Sequence, residues 1–247
     1  MPRPTPPRPT LRLLHTSDIH LTDHPASAEG LVAAVDVALA HRVDVVLIAG
    51  DLFDHPRVGE PATHAALQQL ARLTQPTVVI PGNHDQLDEQ SPYHRVDLRQ
   101  AGPHVVFAGE PEGRHVVFDE LALDVWARGI ADHTPRHRPL AGYDQPTAGY
   151  WNVVVTHGHF VPDGEASDRS SRITRSELAA LGCDYVALGH WHHFVDVSVD
   201  GVAAFYSGSP SEPPDRNPTV SVVTLEEPSG ARVERVGIAP RTLRRSG

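Results

Sequence analysis

The chain has 247 residues, of which 40% are hydrophobic and 21% are charged, as is ordinary for a globular protein of one large domain. Its 31 acidic residues outnumber 21 basic ones, so the formal net charge is −10, and the sequence contains no lysine. This charge disfavours a broad nucleic-acid-binding surface, because such surfaces rely on many Lys and Arg contacts to phosphate.

The N-terminal segment 1–10, MPRPTPPRPT, is rich in proline and lacks the apolar core of a signal peptide, so we predict a disordered lead-in. No apolar run approaches the ~20 residues that span a bilayer, and we therefore expect no membrane partner. The single cysteine, Cys183, favours a cytoplasmic protein. We predict one domain over 11–240 and a tail over 241–247.

The first third of the chain alternates between apolar strand-like runs and helical spacing. Strands are predicted at 11–17, 43–50 and 76–82, and helices at 28–42 and 60–74. This β-α-β-α-β order predicts parallel strands that are joined by helical crossovers.

The rest of the chain is richer in strands. Further strands are predicted at 104–109, 115–127, 151–157 and 184–190, a hairpin over 194–208 that turns at Asp200-Gly201, and a final pair at 219–227 and 232–238. A helix is predicted at 175–182, closed by Gly182. Residues 128–149 are irregular and predict either a surface loop or a flap over a site. The pattern indicates one compact α/β domain with two sheets.

Five of the predicted strands are followed at once by acidic, amide or imidazole side chains. These residues are Asp18 and His20, Asp51, Asn83 and His84, His157, and His190 and His192. In an open α/β sheet, the carboxyl ends of the strands are where binding sites form. Residues i and i+2 of an extended chain point to the same side, so the two side chains of each D-x-H or H-x-H pair can bind one common ion. One such triplet means little in a chain with 17 histidines, but potential ligands at five strand ends in succession predict a metal site.

Eight potential ligands exceed the needs of one ion. Mixed nitrogen and oxygen donors suit Mn, Fe or Zn. They suit two divalent ions about 3.5–4 Å apart, bridged by a carboxylate and a hydroxide, as in two-metal hydrolases. Asp51 stands alone after its strand and is the natural bridge.

The motifs SDIH, GDLFD, GNHD, THGH and GHWHH resemble, in this order, those of the calcineurin-like metallophosphoesterases. The resemblance extends from about residue 11 to residue 210 and is strongest to the SbcD-type DNA-repair exonucleases and their short relatives. It implies a four-layer αββα sandwich of two mixed β-sheets flanked by helices.

The resemblance also implies roles for individual residues. Asp18, His20 and His192 would hold one metal, Asn83, His157 and His190 the other, and Asp51 would bridge them. His84 would stabilise the transition state or protonate the leaving oxygen, and Asp85 would orient His84. The expected cofactors are two divalent ions, with Mn favoured and Fe or Zn as alternatives, and the hydroxide between them would attack phosphorus.

We expect a phosphodiesterase, with phosphomonoesters as further substrates. We expect no DNA-recognition cap of the kind that SbcD-type nucleases carry, so nucleic acid is the less favoured substrate. One alternative is a DNA exonuclease or endonuclease that grips DNA through a partner or a homodimer. The other is a catalytically inactive binding module on the same fold.

Several further residues near the motifs have two readings. His159 and His193 adjoin ligands but fall outside the motif positions. Arg169, Arg172 and Arg175 either meet substrate phosphate or belong to a solvated loop. Trp191 and Phe160 either wall the substrate pocket or pack in the core.

Overall fold

A computed structural model of the chain describes residues 7–144, 146–165 and 168–239. The predicted tail over 241–247 and most of the predicted lead-in lie outside these residues. Within the lead-in, Arg8 is described, and its guanidinium lies 3.5 Å from the ring centre of Trp151. The same guanidinium donates to Asp184 Oδ1 and Oδ2 over 3.0 Å.

The first sheet has six strands. In spatial order they are β14 (Gly230–Gly237), β13 (Thr219–Glu226), β1 (Leu11–Thr16), β2 (Val45–Ala49), β3 (Thr77–Ile80) and β4 (Val105–Phe107). Strands β1 to β4 run parallel, as the β-α-β-α-β pattern predicts, and β13 and β14 pair in antiparallel fashion at one edge. The sheet is therefore mixed.

The second sheet also has six strands. In spatial order they are β11 (Phe194–Asp196), β12 (Ala203–Ser207), β10 (Tyr185–Gly189), β7 (Trp151–His157), β6 (Leu123–Arg128) and β5 (Arg114–Phe118). The four central strands are parallel, and the edge strands β11 and β5 are antiparallel to their neighbours. A separate parallel pair is formed by β8 (His159–Val161) and β9 (Arg172–Thr174).

Within the described residues, three α-helices flank the sheets: α1 (Glu29–His41), α2 (Glu60–Leu70) and α3 (Arg175–Ala179). Helices α1 and α2 bury apolar side chains such as Leu31 and Ala66 against the outer face of the first sheet. The short α3 places Leu178 in an apolar cluster with Trp126 and Tyr206 of the second sheet. The predicted αββα sandwich of two mixed sheets is confirmed, with few helices and one thin outer layer.

The central core lies between the two sheets. Leu13, Leu47 and Val78 of the first sheet belong to one buried cluster with Val125 and Val153 of the second. Removal of this apolar surface from water is the main force that holds the two sheets together. It also brings the carboxyl ends of their parallel strands to one place, since Gly189 at the end of β10 lies directly against the carbonyl of Ala49 in β2.

The structure corrects three predicted elements. The single strand predicted at 115–127 is a hairpin of β5 and β6, because the chain turns at 119–121 and Ala122 adopts a left-handed φ of 44°. Helix α2 ends at Leu70, four residues early, and α3 ends at Ala179 instead of Gly182. The irregular stretch 128–149 has no strand or helix beyond Arg128 in its described residues.

The hairpin over 194–208 is confirmed, with positive φ at both Asp200 and Gly201 of its turn. Two residues with φ > 0 suit the right-handed twist of the flanking strands. Across the described ranges, none of the helices has the length and apolar character that crossing a membrane requires.

Candidate active site

The predicted ligands lie together where the parallel strands of both sheets end. The segment after β1 is bonded to the one after β2, with the amide of Asp18 donating to the carbonyl of Gly50 and that of His20 to the carbonyl of Asp51. The second sheet joins through His190, whose amide donates to Asp18 Oδ2 over 3.1 Å. Five distant segments of the chain therefore build one site.

The backbone of this site is strained. Asp18, His20 and Asp51 have φ values of 55°, 54° and 52°, and His190 has a φ of 110°. Side chains other than glycine rarely adopt these angles, and such strain gathers where a function requires a fixed geometry. The left-handed turns bend the chain sharply after each strand, so that the side chains face one another.

A first ligand group consists of Asp18, His20 and His192, whose potential ligand atoms all lie within 4.8 Å of one another. The Nε2 atoms of His20 and His192 are 3.1 Å apart. His192 Nε2 lies 3.8 Å from Asp18 Oδ1. These are the three residues that the family resemblance assigns to one metal.

A second ligand group surrounds Asn83. Its Oδ1 lies 3.0 Å from His157 Nε2 and 2.8 Å from His190 Nδ1. Asp51 lies between the two groups, since its Oδ2 is 3.4 Å from His157 Nε2 and 4.0 Å from His20 Nε2. Asp51 therefore faces residues of both ligand groups.

The electrostatic properties of the site residues favour the binding of a cation. Burial, followed by the charges of Asp18 and Asp85, raises the pKa of Asp51 well above its ordinary value. Burial lowers the pKa of His20 to about 4 and that of His190 to about 3, so both imidazoles are neutral at pH 7. Burial also opposes ionisation of Asp18, but His157, His192 and a hydrogen bond from Ser17 outweigh it and lower the pKa of Asp18.

The residues fit a divalent metal. His157 Nδ1 donates to the carbonyl of Ala49 over 2.8 Å, so its Nε2 presents a lone pair to the oxygens of Asn83 and Asp51. Asp18 Oδ1 is buried and has no hydrogen-bond partner among the described residues. A buried carboxylate oxygen and facing lone pairs are costly unless a cation satisfies them. Mixed imidazole, amide and carboxylate donors are suitable ligands for one.

His84 sits beside the first ligand group. Its ring lies edge-on to that of His20, with ring centres 4.6 Å apart, and its side chain is 44% exposed. His84 Nδ1 lies 2.7 Å from the carbonyl oxygen of Asp54 and therefore donates to it. This bond leaves Nε2 free to face a substrate.

Asp85 is buried and holds the loop that carries His84. Its oxygens accept hydrogen bonds from the amides of Gly82 and Phe53 and from the hydroxyl of Tyr93, over 2.6, 3.0 and 2.6 Å. The acceptor beside His84 Nδ1 is thus the carbonyl of Asp54. Direct orientation of His84 by Asp85 stays a prediction.

Two carboxylates at the site were not predicted from the sequence. Asp54, the last residue of GDLFD, places Oδ1 3.2 Å from His20 Nδ1. Glu212 places Oε1 2.5 Å from His192 Nδ1. Asp54 lies within a quoted motif and could have been considered. Glu212 is distant from every motif histidine in sequence, and no local pattern marks it.

Three of the residues with two interpretations are placed by specific contacts. His159 accepts a hydrogen bond from the indole of Trp191 over 2.9 Å, and its ring lies 5.7 Å from that of His190. Trp191 stacks on Tyr206 with ring centres 4.6 Å apart. Arg175 lies 3.9 Å from Asp200, away from the ligands. Cys183 is a buried free cysteine.

A cavity of about 370 Å³ opens beside His20. Its walls come from the start of α1 and from the loop after β12. The residues that line the cavity include Ser27, Glu29, Ala33, Pro210, Glu212 and Pro214. The cavity is largely apolar, with two carboxylates at its edge.

Residues 11–194 match a family model described as Calcineurin-like phosphoesterase. The chain belongs to this family. The family supports a hydrolase that acts on phosphoesters, and its members normally bind divalent metals, in agreement with the candidate ligand groups described above.

Three curated relatives are similar to this chain. Uncharacterized metallophosphoesterase YhaO of Bacillus subtilis (strain 168) is 26% identical, over 81% of this chain and 53% of the relative. The SbcD component of nuclease SbcCD from the same organism is 27% identical, over 81% and 61%. DNA double-strand break repair protein Mre11 of Aeropyrum pernix is 28% identical, over 73% and 49%. The chain thus spans about half of the length of these relatives.

Solved structures share the fold. TT1561 of Thermus thermophilus superposes with a TM-score of 0.60 at 13% identity, over 94% of this chain and all of that one. A novel archaeal phosphodiesterase superposes with a TM-score of 0.52 at 17% identity, over 92% of this chain and all of that one. At these identities the likeness establishes the architecture alone.

Proposed function

We propose that this chain is a phosphodiesterase that depends on two divalent metal ions, with Mn²⁺ as the preferred metal. The position of Asp51 carries the proposal, because its Oδ2 lies 3.4 Å from His157 of one ligand group and 4.0 Å from His20 of the other. A carboxylate so placed can serve both ions at once.

Each ion would have its own protein ligands. Asp18, His20 and His192 would hold one, and Asn83, His157 and His190 the other, with Asp51 shared. When bound, the two ions supply Lewis-acid activation of water and offset the negative charge that develops on the phosphoryl oxygens.

The contribution of the chain itself centres on His84. The carbonyl of Asp54 fixes the ring through Nδ1, so Nε2 is directed to the open side of the site. There it can donate a proton to the leaving ester oxygen or a hydrogen bond to a phosphoryl oxygen. The Asp85 carboxylate fixes the loop on which this histidine stands by accepting three hydrogen bonds.

The cavity beside His20 favours a diester over a monoester. A diester carries an organic group on each side of phosphorus, and about 370 Å³ of space offers room for one of them. Glu29 and Glu212 at the edge of the cavity would repel a second anionic group. A diester with one negative charge therefore suits the site better than a monoester with two.

Hydrolysis of two model substrates tests this proposal. We expect purified protein with Mn²⁺ to hydrolyse bis-p-nitrophenyl phosphate with a kcat/KM at least about tenfold above that for p-nitrophenyl phosphate, and a chelator to abolish both activities. A higher kcat/KM for the monoester would contradict the diester preference. Turnover that survives exhaustive chelation would contradict the metal dependence.

The similarity to SbcD and Mre11 favours one second candidate. This candidate is a DNA exonuclease or endonuclease that grips DNA through a partner or homodimer, because a net charge of −10 disfavours an autonomous DNA surface. It predicts Mn²⁺-dependent degradation of linear DNA by the purified chain, alone or with that partner. The cytoplasmic location and the homodimer stay predictions, as does the inactive binding module, for which weak metal binding would be the signature.

A further inference from the structure

Glu212 is a nearly buried carboxylate in a surface loop. Its side chain is only 10% exposed, although Pro213 and Pro214 after it are exposed. Its Oε1 lies 2.5 Å from Nδ1 of His192. We propose that Glu212 is a positioning residue that fixes the His192 imidazole as a metal ligand. This inference rests on the proposed two-metal function.

The contact determines the tautomer of His192. A carboxylate can only accept a hydrogen bond, so His192 Nδ1 carries a proton and Nε2 is the nitrogen left to offer its lone pair to a metal. That lone pair faces the first ligand group, with Nε2 3.1 Å from His20 Nε2 and 3.8 Å from Asp18 Oδ1. Glu212 thus selects both the ring orientation and the nitrogen that a metal requires.

The loop that carries Glu212 is tied to the same segments as the metal ligands. Ser209 Oγ donates to the carbonyl of Asp18 over 2.6 Å, and Ser211 Oγ donates to the carbonyl of Ile19 over 2.6 Å. The amide of Ser209 donates to the carbonyl of His192 over 3.2 Å. The loop therefore holds Glu212 in a fixed place relative to His192 and Asp18.

The two ligand groups differ in how their histidines are supported. His157 of the second group donates from Nδ1 to a neutral main-chain carbonyl, that of Ala49. His192 of the first group donates to the carboxylate of Glu212, which also lies 3.7 Å from Arg216 Nη1. A carboxylate partner makes an imidazole more basic and a stronger ligand, and loss of such a partner typically weakens metal binding about 10–100-fold. We therefore expect Glu212 to act on the first group more than on the second.

The test uses Glu212→Gln, which keeps the shape of the side chain but removes its charge, and Glu212→Ala, which removes the contact. Glu29→Gln is the matched control, because Glu29 lines the same cavity but is an exposed residue at the start of α1. All variants are chelator-treated, checked for folding by circular dichroism, and titrated with Mn²⁺ by isothermal titration calorimetry.

We expect Glu212→Ala to weaken one of two Mn²⁺-binding events about 10–100-fold, and Glu212→Gln to weaken it less. Glu29→Gln should bind Mn²⁺ within about twofold of wild type, since it leaves the His192 contact intact. Wild-type Mn²⁺ affinities in folded Glu212→Ala would overturn the inference.

A second readout does not depend on metal. Nitrogen-15 NMR of the metal-free protein reports which nitrogen of His192 carries the proton. We expect the Nδ1–H tautomer in wild type and in Glu29→Gln, and a mixture of tautomers in Glu212→Ala. A pure Nε2–H tautomer in wild type would overturn the inference, whatever the protein hydrolyses. Failure of wild type to bind Mn²⁺ would instead overturn the proposed function, and the metal-ligand role of His192 with it.

Discussion

The main-chain amide of His84 donates a hydrogen bond to Asp51 Oδ1 over 2.8 Å. The loop that carries the proposed proton donor is therefore anchored to the carboxylate that lies between the two ligand groups. The bond uses the backbone of His84, so the imidazole can be removed without breaking it. Binding of metal and transfer of the proton are thus separable by mutation.

We expect His84→Ala to lower kcat for bis-p-nitrophenyl phosphate about 10²–10⁴-fold, the usual contribution of a positioned general acid. Mn²⁺ affinity should stay within about twofold of wild type, because the amide contact to Asp51 remains. His64→Ala, which removes an imidazole from α2, is the control and should keep wild-type activity. A His84→Ala variant with wild-type kcat would exclude the catalytic role of this histidine.

Asp51→Asn should stabilise the metal-free protein but remove its stabilisation by Mn²⁺. Burial and neighbouring carboxylates raise the pKa of Asp51 well above its ordinary value, so this group destabilises the metal-free fold once the pH is high enough to ionise it in the unfolded chain. At pH 8 we expect the metal-free Asn variant to be about 1–3 kcal/mol more stable than wild type in urea denaturation. Mn²⁺ should stabilise wild type but not the variant. Equal stabilisation of both proteins by Mn²⁺ would show that Asp51 is not a ligand.

Gly189→Ala should disrupt the close packing between β10 of the second sheet and β2 of the first. An added Cβ would clash with the carbonyl oxygen of Ala49 and lie 2.6 Å from His157 Nδ1. We expect a loss of about 3 kcal/mol in unfolding free energy and weaker Mn²⁺ binding, because that carbonyl holds His157. In Gly237→Ala the added Cβ meets nothing within 4 Å, and this control should stay within about 1 kcal/mol of wild type. Similar stability for both variants would contradict the close contact.

His15 gives a pH-dependent prediction outside the ligand set. It is fully buried between the hydroxyl of Tyr185 and the carbonyl of Leu188, and burial lowers its pKa from 6.5 to about 3. The unfolded chain binds a proton that the folded chain does not, so stability falls as the pH drops below 6.5. In chelator, His15→Gln should reduce this loss by about 1.4 kcal/mol per pH unit in urea denaturation between pH of about 6 and about 4.5. An unchanged pH dependence would mean that His15 is protonated in the fold.

The sequence was sufficient to predict the two-sheet architecture and the residues gathered at the strand ends. Both follow from local rules: apolar runs predict buried strands, and parallel strands end at one edge. The hairpin of β5 and β6 was missed because residues 115–127 are apolar enough to resemble one strand. The left-handed φ of Ala122 that breaks it has no sequence signal comparable to a glycine.

Contacts between distant segments could not be predicted in this way. Glu212 contacts His192 because the loop after β12 is hydrogen-bonded to the segment after β1. Both the Glu212–His192 contact and this hydrogen bond depend on the tertiary fold. The support of His157 by the carbonyl of Ala49 likewise depends on how the two sheets pack. Such contacts come from tertiary packing, which the spacing of residues along the chain does not encode.

Mn²⁺ titration of chelator-stripped wild-type protein, with hydrolysis of bis-p-nitrophenyl phosphate as the readout, tests the two-metal account most directly. With protein well above the dissociation constants, we predict that the rate rises until two ions are bound per chain and then levels off. Folded protein that shows no turnover at any Mn²⁺ concentration would contradict the account. A rate that is maximal with one ion per chain would contradict the shared role of Asp51.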